Sequence, residues 1–100
     1  MTVVEHEPQA WFLLESGGDL FLDGRYSQSY ADYSYPIRLS AEEARAYREN
    51  GRAAVGALFG RIQYTAAFRA GSASEHAGRR VSAEAEAQMH EAILRWNAAR

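Results

Sequence analysis

The apolar run Trp11-Phe12-Leu13-Leu14 stops at Ser16-Gly17-Gly18-Asp19, and a second run, Leu20-Phe21-Leu22-Asp23, follows at once. Two short apolar runs around a Gly-Gly pair predict a β-hairpin. In its second strand Leu20 and Leu22 fall on one face, expected to pack inward, while Phe21, Asp23 and Arg25 fall on the other. Further on, Ala31, Tyr33, Tyr35, Ile37 and Leu39 alternate with Asp32, Ser34, Pro36 and Arg38, which predicts a third, half-buried strand. Pro36 has no amide to donate, so it belongs on an edge strand or where its nitrogen faces outward.

Ser40-Ala41-Glu42-Glu43 has the spacing of a capping box. Ala44, Tyr47, Gly51, Ala54, Leu58 and Ile62 then recur every three or four residues, predicting one amphipathic helix of about twenty residues. It is expected to run through Gly51, because the stripe stays in phase there. Gly51, Gly56 and Gly60 each cost such a helix about 1 kcal/mol relative to Ala, and close backbone approach is the expected reason for them. Residues 65–80 show no period and contain Gly71, Ser72, Ser74 and Gly78, the composition of a long loop. Ser82 then caps a last helix whose apolar face is Ala85, Met89, Ala92, Ile93 and Trp96. The polar residues 1–8, ending at Pro8, are expected to fray. The expected fold is therefore α+β, a single domain over residues 1–100: a three-stranded antiparallel meander followed by two helices packed on one face.

Composition narrows the function classes. Hydrophobic residues make up 47% and charged residues 24%, a balance that excludes a disordered or collagen-like chain. A chain of 100 residues makes one domain and leaves no cleft between domains. The absence of cysteine removes disulfides, thiolate chemistry and cysteine zinc sites, and fits a reducing cytoplasm. The first residues have neither a basic nor an apolar leader region. The longest apolar run, Ala10 to Leu14, is far below the ~20 residues of a membrane helix. The chain is thus expected to be cytoplasmic with no membrane partner. Every cation is Arg, and Ala is abundant, a bias expected of a GC-rich bacterial source.

The net charge of −2 conceals an asymmetry. Glu5, Glu7, Glu15, Asp19, Asp23 and Asp32 in the first third face only Arg25. Arg45, Arg48, Arg52, Arg61, Arg69, Arg79 and Arg80 in the middle face only Glu49 and Glu75. A charged interaction face is one reading and solvated surface the other.

No chemistry-bearing motif emerges. His90-Glu91 begins the metalloprotease helix pattern, but position 94 is Leu, and His6 and His76 stand apart. Ser16, Ser72 and Ser74 lie near glycine without the Gly-x-Ser-x-Gly turn of a hydrolase nucleophile. The glycines at 51, 56 and 60 do not sit between a strand and a helix, as a phosphate loop requires. No catalytic residue, metal or cofactor is assigned, and the chain is read as a non-enzyme. Two alternatives remain: a nucleic-acid-binding regulator using the Arg45, Arg48 and Arg52 stripe, disfavoured by the negative charge, and a ligand-binding or enzyme-like domain using loop 71–80, with His76 and Arg79.

The segment from Tyr26 to Tyr35 mixes Tyr, Ser and Asp, the residue types of binding paratopes. Alternation assigns Tyr33 and Tyr35 to the core. Tyr26, Tyr30 and Asp32, with Asp19 and Asp23 adding charge, are the expected partner-binding residues.

The order Trp11-Phe12-Leu13-Leu14, Leu20-Phe21-Leu22-Asp23 and Tyr33-Ser34-Tyr35-Pro36-Ile37-Arg38-Leu39-Ser40-Ala41-Glu42-Glu43 resembles small bacterial immunity proteins of polymorphic toxin systems. The resemblance is one of layout over most of the chain and includes no diagnostic motif. It implies an inhibitor that binds a cognate toxin and occludes its active site, with charge complementarity assisting encounter. The acidic surface would suit a basic active-site rim. A second copy of the chain is also admitted as a partner.

Overall fold

The Gly-Gly hairpin forms as its sequence dictates, because both central residues need positive φ and only glycine adopts it freely: Gly17 has φ 58° and Gly18 φ 88°. In the computed structural model, which describes residues 1–100, this hairpin joins β2 (Trp11–Ser16) to β3 (Asp19–Gln28). A second turn at Ser29-Tyr30 leads into β4 (Ala31–Arg38). Ser29 takes the left-handed conformation at φ 58°.

The meander has four strands, one more than the pattern predicts. Residues expected to fray form β1 (Thr2–Glu7), antiparallel to β2 from Thr2 opposite Glu15 to Glu7 opposite Trp11. Alternation is hidden there by a bulge between Val3 and Glu5, which leaves Val4 as the extra residue and 41% exposed. Beyond the bulge Glu5 and His6 face opposite sides of the sheet. The strand order is β1-β2-β3-β4, so Pro36 does lie on an edge strand.

The capping box is formed: Glu43 N donates to Ser40 Oγ at 3.2 Å, and Ser40 N donates to Glu43 Oε1 at 2.8 Å. It starts α1 (Ala41–Asn50). The helix does not continue through Gly51 as expected. Gly51 has φ 71° and ψ −152° and separates α1 from α2 (Arg52–Thr65). The apolar stripe keeps its phase across the break because both helices lie on the same sheet face. Gly56 and Gly60 have open space where a Cβ would project, so close backbone approach does not explain them. α2 ends at Ala66, in the left-handed region, and the predicted loop follows. Ser82 Oγ accepts from Ala85 N at 3.2 Å and caps α3 (Ala83–Ala98).

The expectation of helices on one face is overturned. α1 and α2 cover one face, where Leu13, Leu22, Tyr26 and Ile37 meet Val55, Leu58 and Ile62. α3 covers part of the other, where Leu14, with Phe12 and Phe21, meets Met89 and Ala92. The run Trp11-Phe12-Leu13-Leu14 is apolar at every position because β2 is buried on both sides. The chain rounds the β4 edge to reach the second face: Val81 N donates to Pro36 O at 2.9 Å, and Arg80 bridges Ile37. The structure is an α+β sandwich with a central antiparallel sheet. No helix is long and apolar enough to cross a membrane.

Candidate functional site

The side chains of β3 and β4 that face away from α1 and α2 alternate by the pleat: Phe21, Asp23, Arg25 and Ser27 on β3, and Asp32, Ser34, Pro36 and Arg38 on β4. α3 crosses this face over β1 and β2. His6 is drawn beneath it, with its ring centroid 4.6 Å from Trp96 and 5.2 Å from Phe12. The far half of β3 and β4 is left without a helical cover. A cleft of about 570 Å³ opens there, with Phe12, Asp23 and Arg25 along the sheet, Asp32 and Ser34 on one side, and His90 and Asn97 on the other. Helical spacing places His90 and Asn97 on one flank of α3, with Glu86 one turn before His90.

Asp23 is half-buried in this cleft. Its one hydrogen bond is a long donation from Ser34 Oγ at 3.4 Å. Burial raises its carboxyl above the ordinary range, the charge of Glu86 adds to this, and His90, Ser34 and Arg80 offset only part of it. Arg80 is itself engaged, donating to Ser34 O at 2.8 Å and to Glu86 Oε2 at 3.2 Å. His90 Nε2 lies 3.9 Å from Glu86 Oε2. Ser34 donates to a carboxylate and is not held by an imidazole, so it lacks the base that activates a serine nucleophile.

The five expected partner-binding residues do not form one patch. Asp23 and Asp32 share the cleft. Tyr30, at the β3–β4 turn beside it, is fully solvent-exposed. Asp19 sits at the other end of β3, about 30 Å away by strand rise, and is held by Arg38 at 2.9 Å. Tyr26 is the correction: it has no exposed surface and points under α2, stacked between Phe59 and Phe68 at 4.8 and 5.3 Å. Its ring folds back over Gly24, where an added Cβ would meet Tyr26 Cε2 at 2.7 Å. Tyr26 belongs to the even-numbered face of β3 with Leu22, so the alternation that assigned Leu22 inward applies to it too. Tyr35 is buried as expected, and Tyr33 is half-buried against Phe68. Arg25, Ser34, His90 and Asn97 were not anticipated: β3–β4 pairing sets Arg25 opposite Ser34, and only the crossing of α3 over this face brings His90 and Asn97 to them. The one sequence signal was the polar set Asp23 and Arg25 on a strand whose other face is apolar.

The acidic first third and the basic middle pair only through Arg52. Arg52 reaches Glu7 at 2.8 Å and Glu5 at 3.3 Å, and lies over the Trp11 ring. Arg48 donates to Gly18 O at 3.2 Å. Two of the three arginines of the α1–α2 stripe are thus held in internal contacts. In loop 71–80, Arg79 is bidentate to Glu43 at 2.7 and 2.9 Å and donates to Arg38 O at 2.7 Å. Tyr35 Oη donates to His76 O at 2.7 Å and accepts from Arg79 N at 3.0 Å. These contacts tie the loop to α1 and β4 and give His76 and Arg79 a structural role.

Comparisons with protein-family models, with characterised proteins and with solved structures return no match.

Proposed function

We propose that this protein is a non-enzymatic binding protein that inhibits its partner: a cytoplasmic immunity protein that neutralises a bacterial toxin by covering its active site. One observation carries the reading. A cleft of about 570 Å³ lies on a sheet face that α3 leaves half bare, and it is lined by charged and polar side chains with the exposed Tyr30 beside it. Tyrosine at a turn, with carboxylates and hydroxyls around it, offers a rigid anchor within a polar rim. The contact surface is Asp23, Tyr30 and Asp32, with Arg25 and Ser34. Asp19 lies outside it.

The test is calorimetric titration of the purified protein with the product of the neighbouring gene, alongside protection of cells expressing that product. A nanomolar complex is expected. Tyr30→Ala and Asp32→Arg should each weaken it by about 10- to 100-fold, whereas Asp19→Ala should leave it unchanged. Absence of binding and of protection would overturn the proposal.

A further inference from the structure

Every half-buried acid on this molecule but one is paired with a cation. Asp19 has Arg38, Glu5 and Glu7 share Arg52, Glu43 has Arg79, Glu86 has Arg80 and Glu91 has Arg95. Asp23 is an exception. It is half-buried, yet only Ser34 hydrogen-bonds to its carboxylate. The exposed Asp32, on the neighbouring strand β4 in the same cleft, has no cation either, and the exposed Arg25 pairs with neither. A half-buried carboxylate without a counter-ion carries an uncompensated desolvation cost. The cleft is also a built cavity with walls from two layers, β4 on one side and α3 on the other, and with the half-buried Phe12 ring among its lining. Its volume of about 570 Å³ exceeds what one side chain fills.

From these observations we infer that the cleft receives a cationic side chain of the protein partner, an arginine or lysine seated between Asp23 and Asp32. The inference rests on the binding-protein reading above and names the partner's chemistry. The carboxylates supply the countercharge, the Phe12 ring packs against the methylene stem, and Ser34 and Asn97 take the remaining polar contacts. Seating the cation gives Asp23 the pairing that the other half-buried acids already have, so the gain is realised only in the complex.

The experiment uses the isotope-labelled protein and three blocked tripeptides, acetyl-Gly-X-Gly-amide with X as Arg, Gln or Glu. It follows backbone amide resonances by NMR. The Arg peptide should shift the amides of Asp23, Asp32, Ser34 and His90 saturably, with a dissociation constant on the order of 1 mM. The Gln and Glu peptides should not. Asp23→Asn and Asp32→Asn should each weaken the response by about tenfold, while Asp19→Asn leaves it intact. Equal shifts with the Gln peptide, shifts away from the cleft, or an unchanged response in both cleft variants would overturn the inference. The peptide needs no protein partner, so the two proposals can fail separately. Failure here with an intact nanomolar complex removes the cation. A positive result here without any complex removes the inhibitor.

Discussion

A single residue can be well packed and badly satisfied at once, and Tyr26 shows both. Its ring closes over Gly24 and stacks on two phenylalanines, yet its hydroxyl is buried without a hydrogen-bond partner. Burial, followed by the charge of Asp23 and by Tyr35, raises the phenol above its usual range, so it stays neutral. An orphaned buried hydroxyl loses its hydration without compensation. Tyr26→Phe should therefore stabilise the protein by about 1 kcal/mol. Thermal unfolding should record this as a rise of about 4–8 °C. A contact residue for a partner would instead show lost binding and unchanged stability. Surface and core tyrosines look alike in composition, and only strand parity separates Tyr26 from Tyr30.

At the scale of elements, glycines divide by backbone conformation. Gly51 has φ 71°, and its amide donates to Tyr47 O at 2.7 Å, so it ends α1 in a conformation that a Cβ strains. Gly56 and Gly60 are ordinary helical positions with open space around them. Gly51→Ala should cost about 1–2 kcal/mol, while Gly56→Ala and Gly60→Ala should each add about 0.5–1 kcal/mol. Urea unfolding of the three variants checks the signs. Much of the element structure was legible in the sequence: the Gly-Gly hairpin, the alternation through Tyr33 to Leu39, the Ser40–Glu43 box and the Ser82 cap are all local. The break at Gly51 was not, because an apolar stripe reports which face is buried and is blind to a bend within that face. β1 escaped notice because its bulge moves Glu5 and His6 out of strict alternation.

For the whole molecule, the loop between α2 and α3 is what carries the chain around the sheet edge, and the Glu43–Arg79 pair fastens it. Burial alone would raise the Glu43 carboxyl. The hydrogen bonds from Arg79 and Ser40, with the charges of Arg79 and His76, outweigh burial and hold it below its ordinary range. A carboxyl lowered in the folded state contributes stability above its unfolded pKa and loses it as pH falls through the folded value. The acid limb of the stability curve should thus fall below about pH 4.5, and Arg79→Ala should flatten it while costing about 2 kcal/mol at pH 7. The two helical layers make a second demand. Leu13 and Leu14 have no exposed surface and belong to cores on opposite faces. Leu13→Ala and Leu14→Ala should each cost about 2–4 kcal/mol by chemical denaturation. Were all helices on one face, Leu14→Ala would fall within about 0.5 kcal/mol of zero.

The local chemistry of the chain determined its class, its turns, its caps and the inward set of β3 and β4, since each depends on neighbours within a few residues. The tertiary structure alone decided that α3 takes the face opposite α1 and α2. That choice buries Tyr26 on one side and leaves Asp23 half-buried without a cation on the other. It also aligns Asp32, Ser34, His90 and Asn97 around one cleft. Pattern along a strand distinguishes two faces but does not say what covers each, because cover comes from elements distant in sequence.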